Sequence, residues 1–102
     1  MKALIVDDEK HVRDAIRLLV EWERYGIDEV FEAPEGESAI RIIEAERPDI
    51  VFTDMRMPVM SGVELLEWIH RHRPQAKTIV ISGHDDFDFV RHTVKYGGVD
   101  YI

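Results

Sequence analysis

Three short apolar runs in this chain end in oxygen-bearing side chains. "KALIVD" ends in Asp7, with Asp8 and Glu9 directly after it, "DIVFTD" ends in Asp54, and "KTIVIS" ends in Ser82. Carboxylates crowded together repel one another and raise each other's pKa values unless a cation compensates. A set of carboxylates, a backbone carbonyl and waters is a hard oxygen site. It suits octahedral Mg²⁺, which keeps several waters and accepts phosphate oxygens as further ligands. An aspartate beside such an ion can attack a phosphoryl group and form an aspartyl phosphate. A nearby hydroxyl such as that of Ser82 can donate a hydrogen bond to a phosphoryl oxygen. Taken one at a time, the same residues have a plainer reading. A lone aspartate at a strand end is more often a turn former or helix cap, and Ser82 before Gly83 is an ordinary turn. The residues alone leave both readings open.

Whether the acids meet depends on the elements that carry them. "KALIVD" (2–7) suits a strand buried on both faces. Residues 11–24 carry Val12, Ala15, Ile16, Leu19 and Val20 at helical spacing, and Gly26 stops the pattern. "DEVFEA" (28–33) alternates apolar and acidic residues, as a half-exposed edge strand does. Pro34 and Gly36 predict a turn, followed by a helix over 37–46 with Ala39, Ile42 and Ile43 inward and Pro48 at its end. A second buried strand is expected over 49–54 and a helix over 62–72 showing Val63, Leu66 and Ile69 on one side. Pro74 breaks that helix before a strand over 77–82, a helix over 85–96 halted by Gly97-Gly98, and a last strand over 99–102. Strands alternating with helices in this way imply parallel pairing and right-handed crossovers. The expected fold is α/β, a doubly wound five-stranded parallel sheet. In the flavodoxin-like order 2-1-3-4-5, the ends of the first and third strands are neighbours where the strand order reverses, and ligands bind there. Asp7, Asp8 and Asp54 would then share one crevice. The final helix that normally follows the fifth strand is missing from the sequence.

Composition narrows the function classes. At 102 residues this is one domain, and 45% apolar with 33% charged residues fits a globular chain. A net charge of −8 argues against direct binding of a nucleic-acid backbone, and the scattered arginines, Arg13 and Arg17 among them, read as solvated helix faces. No apolar run approaches the ~20 residues of a bilayer span, and "MKALIVDDE" lacks the form of a signal peptide. The absence of cysteine excludes disulfides and thiolate metal sites. A cytoplasmic location is expected. His11, His70, His72, His84 and His92 show no zinc spacing, and no glycine-rich phosphate loop is present. Trp22, Trp68 and the Phe87/Phe89 pair fit core or interface packing, and Met55, Met57 and Met60 fit flexible gap filling after Asp54.

Over essentially its whole length the chain resembles the receiver domain of two-component response regulators. "IVDDE" (5–9) is similar to that family's acidic pocket and "FTDMRMPVMSG" (52–62) to its phosphoacceptor segment. The resemblance implies Asp54 as the phosphorylated residue. Asp7, Asp8 and Asp54, with the Arg56 backbone carbonyl, would be the Mg²⁺ ligands, while Pro58 and Gly62 shape the loop. Ser82 would be the hydroxyl that moves onto the phosphoryl group and Tyr101 the aromatic switch residue on the fifth strand. A phosphoryl group would arrive from the phosphohistidine of a sensor histidine kinase and leave by in-line water attack. The surface of the fourth helix, fifth strand and fifth helix would change with it, altering partner or homodimer preference.

"VEWERYGIDEV" and "ISGHDDFDFVRHTVKYGGVDYI" resemble the receivers that precede AraC-type DNA-binding output domains, which implies an output domain outside this chain. The family's lysine also falls just beyond Ile102, so residues 1–102 read as a C-terminally truncated receiver. Two other classes stand beside this one. A Mg²⁺-dependent phosphohydrolase of the haloacid dehalogenase kind would need a second aspartate where Arg56 stands. An interaction module that keeps only the fold would not need Asp7, Asp8, Asp54, Ser82 and Tyr101 together.

Overall fold

In a computed structural model, residues 1–54, 60–81 and 98–101 are described. The order of elements is β1 (Lys2–Val6), α1 (Lys10–Leu19), β2 (Glu29–Ala33), α2 (Gly36–Glu46), β3 (Ile50–Asp54), α3 (Gly62–His72), β4 (Lys77–Ile81) and β5 (Gly98–Tyr101). All pairings are parallel. β2, β1, β3 and β4 lie side by side in that order, and β5 pairs with β4 through a register shift between Thr78 and Ile79. This is the α/β architecture the alternation predicts. The helix expected over 85–96 falls outside the described residues.

Period-two alternation splits β1 and β3 between two cores. Leu4, Val6 and Val51 join Ala33, Ala39, Ile43, Leu65 and Ile69 under α2 and α3. Ala3, Ile5 and Phe52 join Ile16 and Ile27 on the face that carries α1. Both strands are therefore apolar at nearly every position, as a sheet covered on two sides requires. Leu66 packs with Val80 in a third, smaller cluster, so α3 buries Leu65 as well as the expected Leu66 and Ile69, while Val63 is only partly buried.

Helix α1 departs from expectation. It ends at Leu19, not near Arg24, and a 3-10 turn over Trp22–Tyr25 follows. The cause is Trp22, which packs its ring edge-on against Phe52 at 5.6 Å and donates its indole N–H to the Arg17 carbonyl at 3.0 Å. A continuous helix would carry Trp22 away from that position. Gly26, at φ 73°, closes the turn in the left-handed region that glycine tolerates. Of the apolar stripe on α1, Ile16 is buried and Val12 and Val20 are half-buried, but Ala15 and Leu19 are exposed. At about 100° per residue, those two lie on the flank opposite Arg13 and Arg17.

Capping explains where α2 and α3 start. The Glu35 carboxylate accepts the Ser38 N–H at 2.8 Å, and the Ser61 hydroxyl accepts the Glu64 N–H at 3.2 Å. The Ser38 side chain, and after it the Ser38 N–H, holds the Glu35 carboxyl below its usual pKa.

Candidate functional site

β1 stops at Val6 and β3 at Asp54, and the two strands are direct neighbours with Val6 opposite Thr53. From β1 the chain leaves to β2 on one side, while β3 lies on the other, so the strand order reverses between them. The crevice at the carboxyl ends of β1 and β3 is therefore the switch point of the sheet. Asp7, Asp8 and Asp54 meet there: one carboxylate oxygen from each lies within 4.8 Å of the others.

The three acids are not equivalent. Asp7 is 4% exposed, Asp54 is half-buried and Asp8 faces solvent. The Asp7 backbone N–H continues the sheet by donating to the Ala33 carbonyl at 3.1 Å. Its carboxylate accepts the Glu9 N–H at 2.9 Å, which turns the chain into α1. Its carbonyl accepts a bond from Arg13 Nη1 at 2.6 Å. Next to Asp54, the Thr53 hydroxyl donates to the Asp54 carbonyl at 3.1 Å. Burial pushes the Asp7 carboxyl above its usual pKa; the Glu9 N–H partly offsets this, and the charges of Asp54, Asp8 and Glu9 add to it. A buried carboxylate destabilised by its neighbours is relieved by a cation, and an all-oxygen donor set fits a hard divalent ion. Among the described residues no sulfur or imidazole belongs to the cluster.

The structure thus brings together the three acids singled out from the sequence. Arg56 and Ser82 lie outside the described residues. Tyr101 stands on β5, paired at its Cα with Val80 of β4. Sequence reasoning missed Arg13, which it placed on a solvated face. Its side chain is 13% exposed and its Nε pairs with Glu32 at 3.1 Å, while Arg17 Nε reaches the other Glu32 oxygen at 2.6 Å. The usable signal was two arginines four apart on a helix beside a strand that carries an unpaired-looking acid. His11, His70 and His72 are exposed, as expected. Trp68 packs against the α2/α3 core and stacks on His72 at 4.4 Å. Among the described residues no helix is long and apolar enough to cross a membrane.

A parallel α/β sheet in the order 2-1-3-4 with an acidic crevice at its switch point describes a receiver domain. The chain belongs to the response regulator receiver domain family, whose sequence model matches residues 3–102. It is 35% identical over 101 residues to the uncharacterized transcriptional regulatory protein YesN of Bacillus subtilis, covering 99% of this chain and 27% of that protein. It is 31% identical to the transcriptional regulatory protein HptR of Staphylococcus aureus, covering 99% of this chain and 39% of that one. The chain therefore spans two-fifths or less of the length of these curated relatives.

Among solved structures it is similar to the receiver domain of AraT, a response regulator from Geobacillus stearothermophilus. The TM-score is 0.90 at 34% identity, over 99% of this chain and 78% of that one. It is also similar to a two-component transcriptional regulator AraC from Clostridium phytofermentans. There the TM-score is 0.85 at 33% identity, over 100% of this chain and 77% of that one.

Proposed function

We propose that this domain is a phosphorylation-dependent switch of a two-component system, with Asp54 as the phosphoacceptor. The observation that carries the proposal is the convergence of Asp7, Asp8 and Asp54 at the switch point. An Asp54 carboxylate oxygen attacks the phosphorus of a phosphohistidine on a sensor histidine kinase. The P–N bond breaks, its electron pair returns to the imidazole, and an aspartyl phosphate forms. Water then attacks the phosphorus, the P–O bond to Asp54 breaks, and inorganic phosphate leaves with the carboxylate restored. Asp7, Asp8, Asp54 and the Arg56 backbone carbonyl would hold Mg²⁺, which supplies charge neutralisation for the transferring group when bound. Asp7, buried and fixed through three hydrogen bonds, sets the position of the acid pair. The Ser82 hydroxyl donates to a phosphoryl oxygen, and the Tyr101 ring follows it.

Residues 1–102 act in this reading as one receiver domain, whose sheet runs 2-1-3-4-5. The pairing of β5 with β4 supports that order. The domain accepts and sheds a phosphoryl group but turns over no separate substrate, so it is a signalling acceptor, not an enzyme in the usual sense. The surface that changes, around the fourth helix and β5, controls an AraC-type DNA-binding output domain or a homodimer contact. Likeness to AraC-type regulators supports the first. DNA contact falls to that output, in keeping with the charge of −8 on this chain. The location is the cytoplasm.

Intact-mass measurement after incubation with Mg²⁺ and a small phosphodonor tests the reading. A phosphoryl adduct on the parent chain that is missing in Asp54→Asn supports it. An adduct that persists in Asp54→Asn, or no adduct on either the parent or a form extended through the lysine beyond Ile102, removes Asp54 from the role.

A further inference from the structure

Arg13 touches the acidic crevice from outside the acid cluster, and its bonding pattern gives it a task. Nη1 of its guanidinium donates to the Asp7 carbonyl at 2.6 Å, while Nε donates to Glu32 Oε1 at 3.1 Å. Glu32 in turn accepts Arg17 Nε at 2.6 Å through Oε2, and Arg17 Nη2 donates to the Val30 carbonyl at 2.8 Å. The chain of bonds thus runs from β2, through two guanidiniums of α1, to Asp7, the residue directly after β1. The Arg13 side chain is 13% exposed and that of Glu32 is 26%, so this part of the network is shielded in a way an ordinary surface pair is not.

The atom that Arg13 holds is what gives the contact its consequence. The Asp7 carbonyl and the Asp8 N–H belong to one rigid peptide plane. Fixing the carbonyl fixes the direction in which the chain leaves Asp7 and therefore where the Asp8 carboxylate starts. Asp7 itself is tied on its amide side to Ala33 and through its carboxylate to Glu9. Asp8 is exposed, so the peptide plane is a principal constraint on its placement. The planar fork of arginine lets one side chain serve two acceptors in different directions, a task for which the point charge of lysine is poorly built.

We propose that Arg13, braced by Glu32, is a positioning residue that sets the Asp7–Asp8 peptide and thereby the divalent-cation affinity of the acid cluster. This rests on the reading of Asp7, Asp8 and Asp54 as a cation site. Residues that orient metal ligands without touching the metal typically change affinity ~10–100-fold when removed. Arg13→Met keeps the aliphatic stem and loses both donors. It is expected to weaken Mg²⁺ and Mn²⁺ binding about tenfold, Glu32→Gln by less, and Arg13→Lys by an intermediate factor.

The test is calorimetric titration of each variant with Mg²⁺ and with Mn²⁺, well below its melting temperature. Amide hydrogen exchange is followed in parallel at Glu9 and, as a reference, at Phe52 in the core. Weakened binding together with faster exchange at Glu9 and unchanged protection at Phe52 supports the proposal. Affinity equal to the parent in both Arg13→Met and Glu32→Gln overturns it. Weak binding with protection lost at Phe52 as well overturns it too, because the effect is then global. If Arg13→Met does not fold, Glu32→Gln alone decides by the same two readouts. A parent chain that binds neither ion sinks the cation-site reading itself, an outcome distinct from loss of the Arg13 effect alone.

Discussion

The Met60 side chain fills the place that a Cβ on Gly36 would need: such an atom would lie 2.5 Å from Met60 Sδ and 2.8 Å from its Cβ and Cγ. Gly36 opens α2, and Met60 immediately precedes Ser61, the N-cap of α3, so the contact joins the starts of two helices on the α2/α3 face of the sheet. The sequence suggested a turn at Gly36; the structure shows the first residue of a helix whose missing side chain makes room for another.

Gly36→Ala should therefore destabilise the domain even though alanine is the better helix former by about 1 kcal/mol. The thioether end of the side chain can swing away, but the Met60 Cβ cannot move without the backbone. Overpacking of this kind costs roughly 1–3 kcal/mol, and the net loss is read from the urea midpoint. Paired with Met60→Ala in a double-mutant cycle, which removes Cγ and Sδ but keeps the Cβ, the Gly36→Ala penalty should fall only in part. A cycle without coupling would show that the clash is absorbed elsewhere.

Asp7 carries the pH prediction. Its folded pKa is raised, chiefly by burial, so the ionised form costs stability in the metal-free protein. Below the unfolded value of about 3.9 the side chain is protonated in both states and the cost is absent. The cost grows as pH rises from there through the raised folded value and is complete above it. Asp7→Asn, whose amide oxygen can still accept the Glu9 N–H, should raise the metal-free melting temperature at neutral pH. The gain should disappear on acidification to about pH 4. Mg²⁺ should reverse the ranking, since a site at ten times its Kd stabilises the parent by about 1.4 kcal/mol and the variant by less. Melting curves with and without Mg²⁺ at two pH values check both statements.

What was legible in the sequence follows from which forces act locally. Leu4, Val6, Ala3 and Ile5 announce a strand buried on two faces because period-two placement and unbroken apolarity need no knowledge of the partners. Asp7, Asp8 and Asp54 stood out because each acid follows such a run, and parallel topology then brings the ends of β1 and β3 together. The end of α1 was hidden because Trp22 is turned by Phe52, thirty positions away in the chain. Arg13 was hidden for a related reason. Its role depends on Glu32 lying across α1 and on a carbonyl that every residue possesses, neither of which a helical spacing encodes. Leu65 was missed because α3 straddles two clusters and so buries adjacent residues, where a single-faced helix would bury only one.

Thr78 supplies a prediction from an unpaid polar burial. It lies in β4 opposite Val51, is 1% exposed, and its hydroxyl has no hydrogen-bond partner among the described residues. A buried hydroxyl without a partner costs about 1–3 kcal/mol by mutational measures. Valine has nearly the same shape, places a methyl where the hydroxyl was, and is favoured on a pleated, covered strand. Thr78→Val should therefore stabilise the domain by about 1–2 kcal/mol, worth ~4–8 °C in melting temperature per kcal/mol at this size. The register shift between Thr78 and Ile79, where β5 joins the sheet, makes this a sensitive position. Hydrogen exchange along β4 should slow together with the rise in melting temperature if the strand itself is strengthened. A fall in melting temperature would mean instead that the hydroxyl is bonded in solution, with a trapped water holding it at the irregular edge of β4.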